Sequence, residues 1–192
     1  MRGTAKVFVV AAGLIVGVAS AGCGSSAEDD PKWSAVPRTV TESGLLVQVP
    51  KGFDPCTDVP QSVLDSERLH AAVVPNRADY DGPGGTRWRG CAWVQSNGYA
   101  ASVKVTNVTI PYVRSRGLVD PQEFTLAGRA AISTRRGSKP SETCVVNVEM
   151  IGGSLEVFLD NPPSRRHTGH LDTCQLARTL AEKVAQVLPA GV

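Results

Sequence analysis

The chain has little of what usually announces a chemistry. It carries three histidines and no C-x-x-C pair, which argues against a dithiol redox motif and against a zinc ribbon. No G-x-S-x-G, P-loop or H-E-x-x-H sequence occurs, so no nucleophile elbow, phosphate cradle or zinc-protease helix is marked. Excess charge is missing as well. The formal net charge over 192 residues is +2, and removing Arg2 and Lys6 from the 20 basic residues leaves 18 against 18 acidic ones. Such a balance leaves no electrostatic footprint for nucleic acid. A long apolar run is also lacking. The uncharged stretch over residues 7–19 has 13 residues, short of the roughly 20 that a spanning helix needs.

What is present begins at that stretch. Arg2 and Lys6 precede it, the small residues Ser20, Ala21 and Gly22 follow it, and Cys23 is the only cysteine among the first 50 residues. A basic start, an apolar centre and a small-residue end are the three parts of an export signal. Ser20-Ala21-Gly22-Cys23 resembles the lipobox of bacterial lipoproteins, with serine at the first position where leucine is usual. The resemblance implies that residues 1–22 are removed and that Cys23 becomes an acylated first residue. Two or three acyl chains suffice for stable membrane anchoring where one is reversible. An ordinary secretory signal, with Cys23 left as a free thiol, is the alternative.

Residues 23–44 read as the lipidated end and a flexible tether. Gly24-Ser25-Ser26 and Ala27-Glu28-Asp29-Asp30-Pro31 show no apolar period, and so little hydrophobicity cannot offset chain entropy. Trp33 is the one large apolar residue there. A single domain is expected over residues 45–192, opening on a short strand at residues 45–49. Two short helical pieces are expected near Pro60 and Val63-Leu64, interrupted at Asp65-Ser66. The glycine- and proline-rich residues 75–86 read as a mobile loop.

From Arg87 the apolar period becomes two, the signature of strands. Cys91 and Trp93 share one face, with Trp88, Ala92 and Val94 on the other. Ala101, Val103 and Val105 alternate with polar residues, and the slip of phase to Val108 and Ile110 predicts a bulge or strand end near Asn107. A further strand is expected over residues 129–134. Cys144, Val146, Val148 and Met150, then Gly152-Gly153, then Leu155, Val157 and Leu159 read as a β-hairpin. Residues 172–188 read as an amphipathic helix, with Leu176, Ala177, Leu180, Ala181, Val184, Val187 and Leu188 on one arc. Asp172 is its natural N-cap and Pro189 its stop.

Four cysteines remain besides Cys23: Cys56, Cys91, Cys144 and Cys174. An even number in an exported domain reads as a disulfide framework. Three pairings are possible, and the faces favour Cys56–Cys91 with Cys144–Cys174, since each bridge then clamps a helix to the sheet. The expected architecture is α+β: an antiparallel twisted sheet with helices packed mainly on one face, stapled by two disulfides.

Phe53-Asp54-Pro55-Cys56, Gly90-Cys91-Ala92-Trp93, Thr143-Cys144-Val145-Val146 and Cys174 before a helix ending in Leu188-Pro189 resemble an actinobacterial lipoprotein family named only as domain of unknown function 3558. The resemblance implies export and attachment to the extracytoplasmic side of the cell membrane through acylated Cys23. It brings no catalytic residue.

Site candidates are few. His167 and His170 stand three apart, but flanking Arg165 and Arg166 oppose a cation and no third ligand is evident. Arg135-Arg136 and Arg165-Arg166 read either as contacts for an anionic head group or as solvated charge. The Asn107-Val108-Thr109 sequon is discounted beside a bacterial signal. No metal, cofactor or catalytic residue is expected. The reading that follows is a monomeric, membrane-anchored module for an envelope small molecule, lipid or protein partner. An envelope hydrolase assembled from His70 or His167 with an Asp and a Ser is the alternative.

Overall fold

The computed structural model of the chain describes residues 40, 41 and 43–192. The expected signal over 1–22, the lipidation site Cys23, Trp33 and the tether up to residue 39 lie outside the described residues.

Eight strands form one antiparallel sheet: β1 (Leu69–His70), β2 (Tyr80–Asp81), β3 (Arg87–Gln95), β4 (Ala100–Thr106), β5 (Val119–Leu126), β6 (Arg129–Arg135), β7 (Thr143–Met150) and β8 (Gly153–Asp160). Their spatial order is β1-β3-β4-β8-β7-β6-β5, with β2 paired to the opposite end of β3. Three hairpins, β3–β4, β5–β6 and β7–β8, carry most of the pairing. The last strand, β8, closes the sheet by pairing with β4, Val157 opposite Val103. Four helices complete the domain: α1 (Pro55–Asp58), α2 (Gln61–Ser66), α3 (Ile110–Arg114) and α4 (Thr173–Ala185).

Because side chains alternate along a strand, the register sorts the sheet into two faces. Cys91, Trp93, Val103, Val105, Val146, Val148, Val157 and Leu159 point to the first face and are buried in the main core. Helix α4 lies on it, with Ala177, Leu180, Ala181 and Val184 at zero exposure. Full burial of a leucine or valine contributes about 1.5–3 kcal/mol, so a 13-residue helix of modest intrinsic stability is held by its packing. Asp172 caps it as expected, accepting from Gln175 N at 2.8 Å. The helix ends at Ala185, three residues before the expected Leu188, and Val187 is left exposed. Lys183 Nζ bonds Glu67 Oε1 at 2.5 Å, and Tyr99 Oη donates to Glu67 Oε2 at 2.6 Å, tying α4, the chain just after α2 and the β3–β4 turn together. Burial and the neighbouring carboxylate push the Tyr99 phenol up.

Both disulfides are formed in the expected pairing, Cys56–Cys91 and Cys144–Cys174, with Cα separations of 5.2 and 5.1 Å. One fastens α1 to β3 and the other fastens the first turn of α4 to β7.

Three expectations need correction. Residues 45–49 do not form a strand: Leu46 makes a single bridge to Val40, because the chain turns tightly at Gly44 and then buries Leu45 under the second face of the sheet. The two helical pieces divide at Val59 and Pro60, and α1 begins already at Pro55. Pro60 lacks the N–H that would continue α1. Asp65-Ser66 ends α2 rather than interrupting a helix. Residues 75–86, expected as a mobile loop, run along β3. Ala78 N donates to Gly90 O at 2.8 Å, Ala92 N to Asn76 O at 2.9 Å and Gly90 N to the Asp79 carboxylate at 2.9 Å. Turn-forming composition here serves an edge that satisfies the outer backbone groups of β3.

The far border of the sheet is β5. Its residues are mostly exposed, its pairing shifts register between Val119 and Gln122, and Pro121 sits in that interval beside Asp120, which has a φ of +50°.

Asp172 offers a test of how charge contributes to the docking of α4. Burial raises its carboxyl, but the Arg135 guanidinium at 2.6 Å and the Gln175 N–H together outweigh that and hold it below the ordinary aspartate range. A depressed folded-state pKa supplies stability above the unfolded value of about 3.9 and loses it as pH falls through the folded value. Asp172→Asn keeps a capping side chain and removes the charge. The variant is expected to lose less stability than wild type when urea unfolding is followed from pH 5 down to pH 2.

Candidate functional site

The second face of the sheet is different in character. Rows of register place Lys104, Glu156, Asn147 and Ile132 side by side across β4, β8, β7 and β6. Helix α3 covers part of it. Thr109 caps α3 by accepting from Tyr112 N at 3.3 Å, and a proline in the first turn is pre-set for the helix. Ile110 and Val113 then pack with Leu45, Val108 and Ile132 in a second, smaller cluster. Arg114 on the outer side is bound to Glu123 of β5 by two bonds of 2.7 and 2.8 Å.

Between α3 with its following segment and the β2–β3 border lies a cleft of about 300 Å³. Trp88, Val108, Tyr112, Val113 and Leu118 form its apolar lining. Thr134, Arg116, Arg135 and Arg136 supply the polar lining. A few placed polar groups in an apolar concavity near 300 Å³ match the lower end of small-molecule sites.

The cations of this cleft are not equivalent. Arg135 is held by Asp120 and Asp172 at 3.2 and 2.6 Å. Arg136 reaches Glu156 at 3.5 Å, and that carboxylate is only 3% exposed. Arg116 lies over the Tyr112 ring at 5.5 Å and pairs with no carboxylate of the described residues. The Trp88 indole stacks at a tilt on Tyr80, 5.4 Å between centroids. Its Nε1–H is buried and has no hydrogen-bond partner among the described residues. Under α3, Asn147 Nδ2 donates to Ser154 Oγ, which donates to Val108 O, while Asn147 Oδ1 has no partner among the described residues.

The sequence-predicted candidates fall as follows. Arg135 and Arg136 meet at the cleft, each engaged by carboxylates rather than simply solvated. Arg165 and Arg166 are exposed elsewhere and form no ion pair among the described residues. His70 and His167 are exposed, on β1 and in the 161–171 loop, and no hydrogen bond joins them among the described residues. His170 shares an adjoining hollow of about 540 Å³ with Ser141 and Asp172, which meets the cleft at Val119 and Arg135. No histidine ring hydrogen-bonds a Ser, Asp or Glu among the described residues, and Asp172 is committed to Arg135 and the α4 cap. No group of three metal-ligating side chains converges among the described residues. Asn107 of the sequon is fully buried: it accepts from Arg87 N and donates to Leu46 O and Gly85 O.

Trp88, Tyr112, Arg116 and Leu118 escaped sequence reading because they come together only through the crossover from β4 to β5. The one usable signal was the phase of Trp88, opposite to Cys91 and Trp93, which puts a large aromatic on the face that α4 does not cover.

No curated protein and no solved structure matches the chain. Residues 18–186 match the family described as "Protein of unknown function (DUF3558)". That span takes in both disulfides, every strand and the cleft, and the chain belongs to this family.

Proposed function

We propose that the protein is a lipoprotein of the cell envelope, of actinobacterial type, held on the extracytoplasmic side of the membrane by acylated Cys23. Its domain is a non-catalytic module that holds a small envelope molecule or a partner. The anchoring part is supported by the basic start, the short apolar run and the small residues before Cys23. The binding part is carried by one observation: the cleft under α3 offers apolar walls and guanidinium groups, and none of the three histidines lines it. Groups of that kind hold and orient a molecule. They do not supply the activated nucleophile or general base that hydrolysis requires.

Gly117 makes a direct test possible. It lines the cleft, its backbone lies outside the left-handed region, and a Cβ added there meets no atom within 4 Å. Gly117→Trp is therefore expected to occlude the cleft with melting unchanged. Native mass spectrometry of protein extracted from its own envelope should show a bound species in wild type and its loss in Gly117→Trp. Turnover of an ester or peptide library by wild type, abolished by substitution of His70, His167 or His170, would replace this reading with the hydrolase one.

A further inference from the structure

Resting on the reading of the α3 cleft as a ligand site, we infer that its ligand is an anionic amphiphile: an aliphatic chain bearing a carboxylate or phosphate. Two features fix the polar end. Arg116 is a cation without a carboxylate partner among the described residues, and Arg136 meets its only such partner, Glu156, at the long distance of 3.5 Å. Both guanidiniums line one cleft, and a guanidinium presents a fork of donors suited to an oxyanion.

The remainder of the lining sets the other half of the ligand. Val108, Val113 and Leu118 with the rings of Trp88 and Tyr112 make the rest of the lining mostly apolar, with the Thr86, Thr134 and Tyr112 hydroxyls as its few uncharged polar groups. A bare inorganic anion would leave that surface wet. An uncharged alkyl chain would cover Arg116 with nothing to accept from it. An anionic head on an aliphatic chain answers both halves at once.

Isothermal titration calorimetry on the full chain with its two disulfides intact tests this, using decanoate, decyl phosphate, decanol and inorganic phosphate as probes. One or both anionic amphiphiles should bind, about tenfold or more tighter than decanol, as expected for charge-assisted hydrogen bonds. Which of the two binds better identifies the head group. Arg116→Gln, at an exposed position, should bring the anionic probe down to the affinity of decanol. Arg136 is left in place, because its removal would strand the buried Glu156 and unsettle the fold. Equal affinity for decanol and decanoate, with Arg116→Gln silent, overturns the anionic assignment while the cleft stands as an apolar site. Inorganic phosphate binding as tightly as decanoate overturns the amphiphile. No binding of any probe, or binding untouched by Gly117→Trp, overturns the ligand site itself.

Discussion

Replacing Cys144 and Cys174 together by alanine is expected to cost about 3.5 kcal/mol of stability, the chain-entropy value for a closed loop of this length. The two cysteines are 30 residues apart. That is a large share of the 5–15 kcal/mol by which a domain is stable, and it corresponds to a fall of roughly 10 °C in melting temperature for a chain of this size. The position adds to the effect. Cys144 has no exposure, and Cys174 stands in the first turn of the helix that covers the main core. Without the bridge, α4 is retained by its apolar arc, by the Arg135 contact at its cap, by Thr173 bonded to Ser141 O, by Arg178 on Ser133 and the Phe124 ring, and by Lys183 at its far end. The Cys56–Cys91 pair closes a similar loop of 35 residues but holds only the four-residue α1. The paired alanine variants should therefore differ. Loss of Cys144–Cys174 should lower the urea midpoint and the near-ultraviolet circular dichroism together, whereas loss of Cys56–Cys91 should lower mainly the midpoint. An unchanged midpoint in the Cys144/Cys174 variant would remove the argument that the bridge fastens α4 to the sheet.

Cys23→Ala is expected to abolish membrane attachment. Each buried methylene of an acyl chain contributes about 0.8 kcal/mol, so two or three chains hold a protein to a bilayer durably and none does not hold it at all. The neutral balance of charge after residue 22 offers no polybasic patch to substitute for them. In fractionated cells the wild type should sediment with membranes. The variant should appear unlipidated, either soluble or retaining its signal. Mass spectrometry of the mature wild-type N-terminus should find a diacylated or triacylated cysteine at position 23. A mature chain beginning at any other residue ends the lipoprotein reading.

How much of this domain can be read from residues alone depends on the range over which each feature is encoded. The β7–β8 hairpin, the strand end at Asn107 and helix α4 are written in local periodicity, two or 3.6 residues at a time, and the structure has them. The disulfide pairing was legible because each cysteine sits on a strand face or helix end whose direction the periodicity already fixes. β5 was not legible. Asp120, Pro121, Gln122 and Glu123 break any alternation, and an edge strand tolerates them because one side of its backbone faces water. α3 has five residues, too few for a 3.6-residue period to register. The cleft was least legible, since Trp88, Tyr112 and Arg116 are joined only by the path of the chain between β4 and β5. Residues 75–86 show the opposite error, where composition argued for motion and the backbone bonds to β3 hold the segment in place.

If the domain is tethered to a membrane as proposed, the two borders of the sheet acquire a further consequence. Proteins confined to two dimensions collide often and in similar orientations, and an open strand edge would let neighbours zip together into sheets. At one border the 75–86 segment already occupies the outer hydrogen-bonding groups of β3. At the other, Pro121 withholds a donor, the kink at Asp120 breaks the straight run of β5, and the Arg114–Glu123 pair stands over the strand. Among the described residues neither border offers an incoming strand a long continuous ladder, which disfavours edge-to-edge pairing between copies.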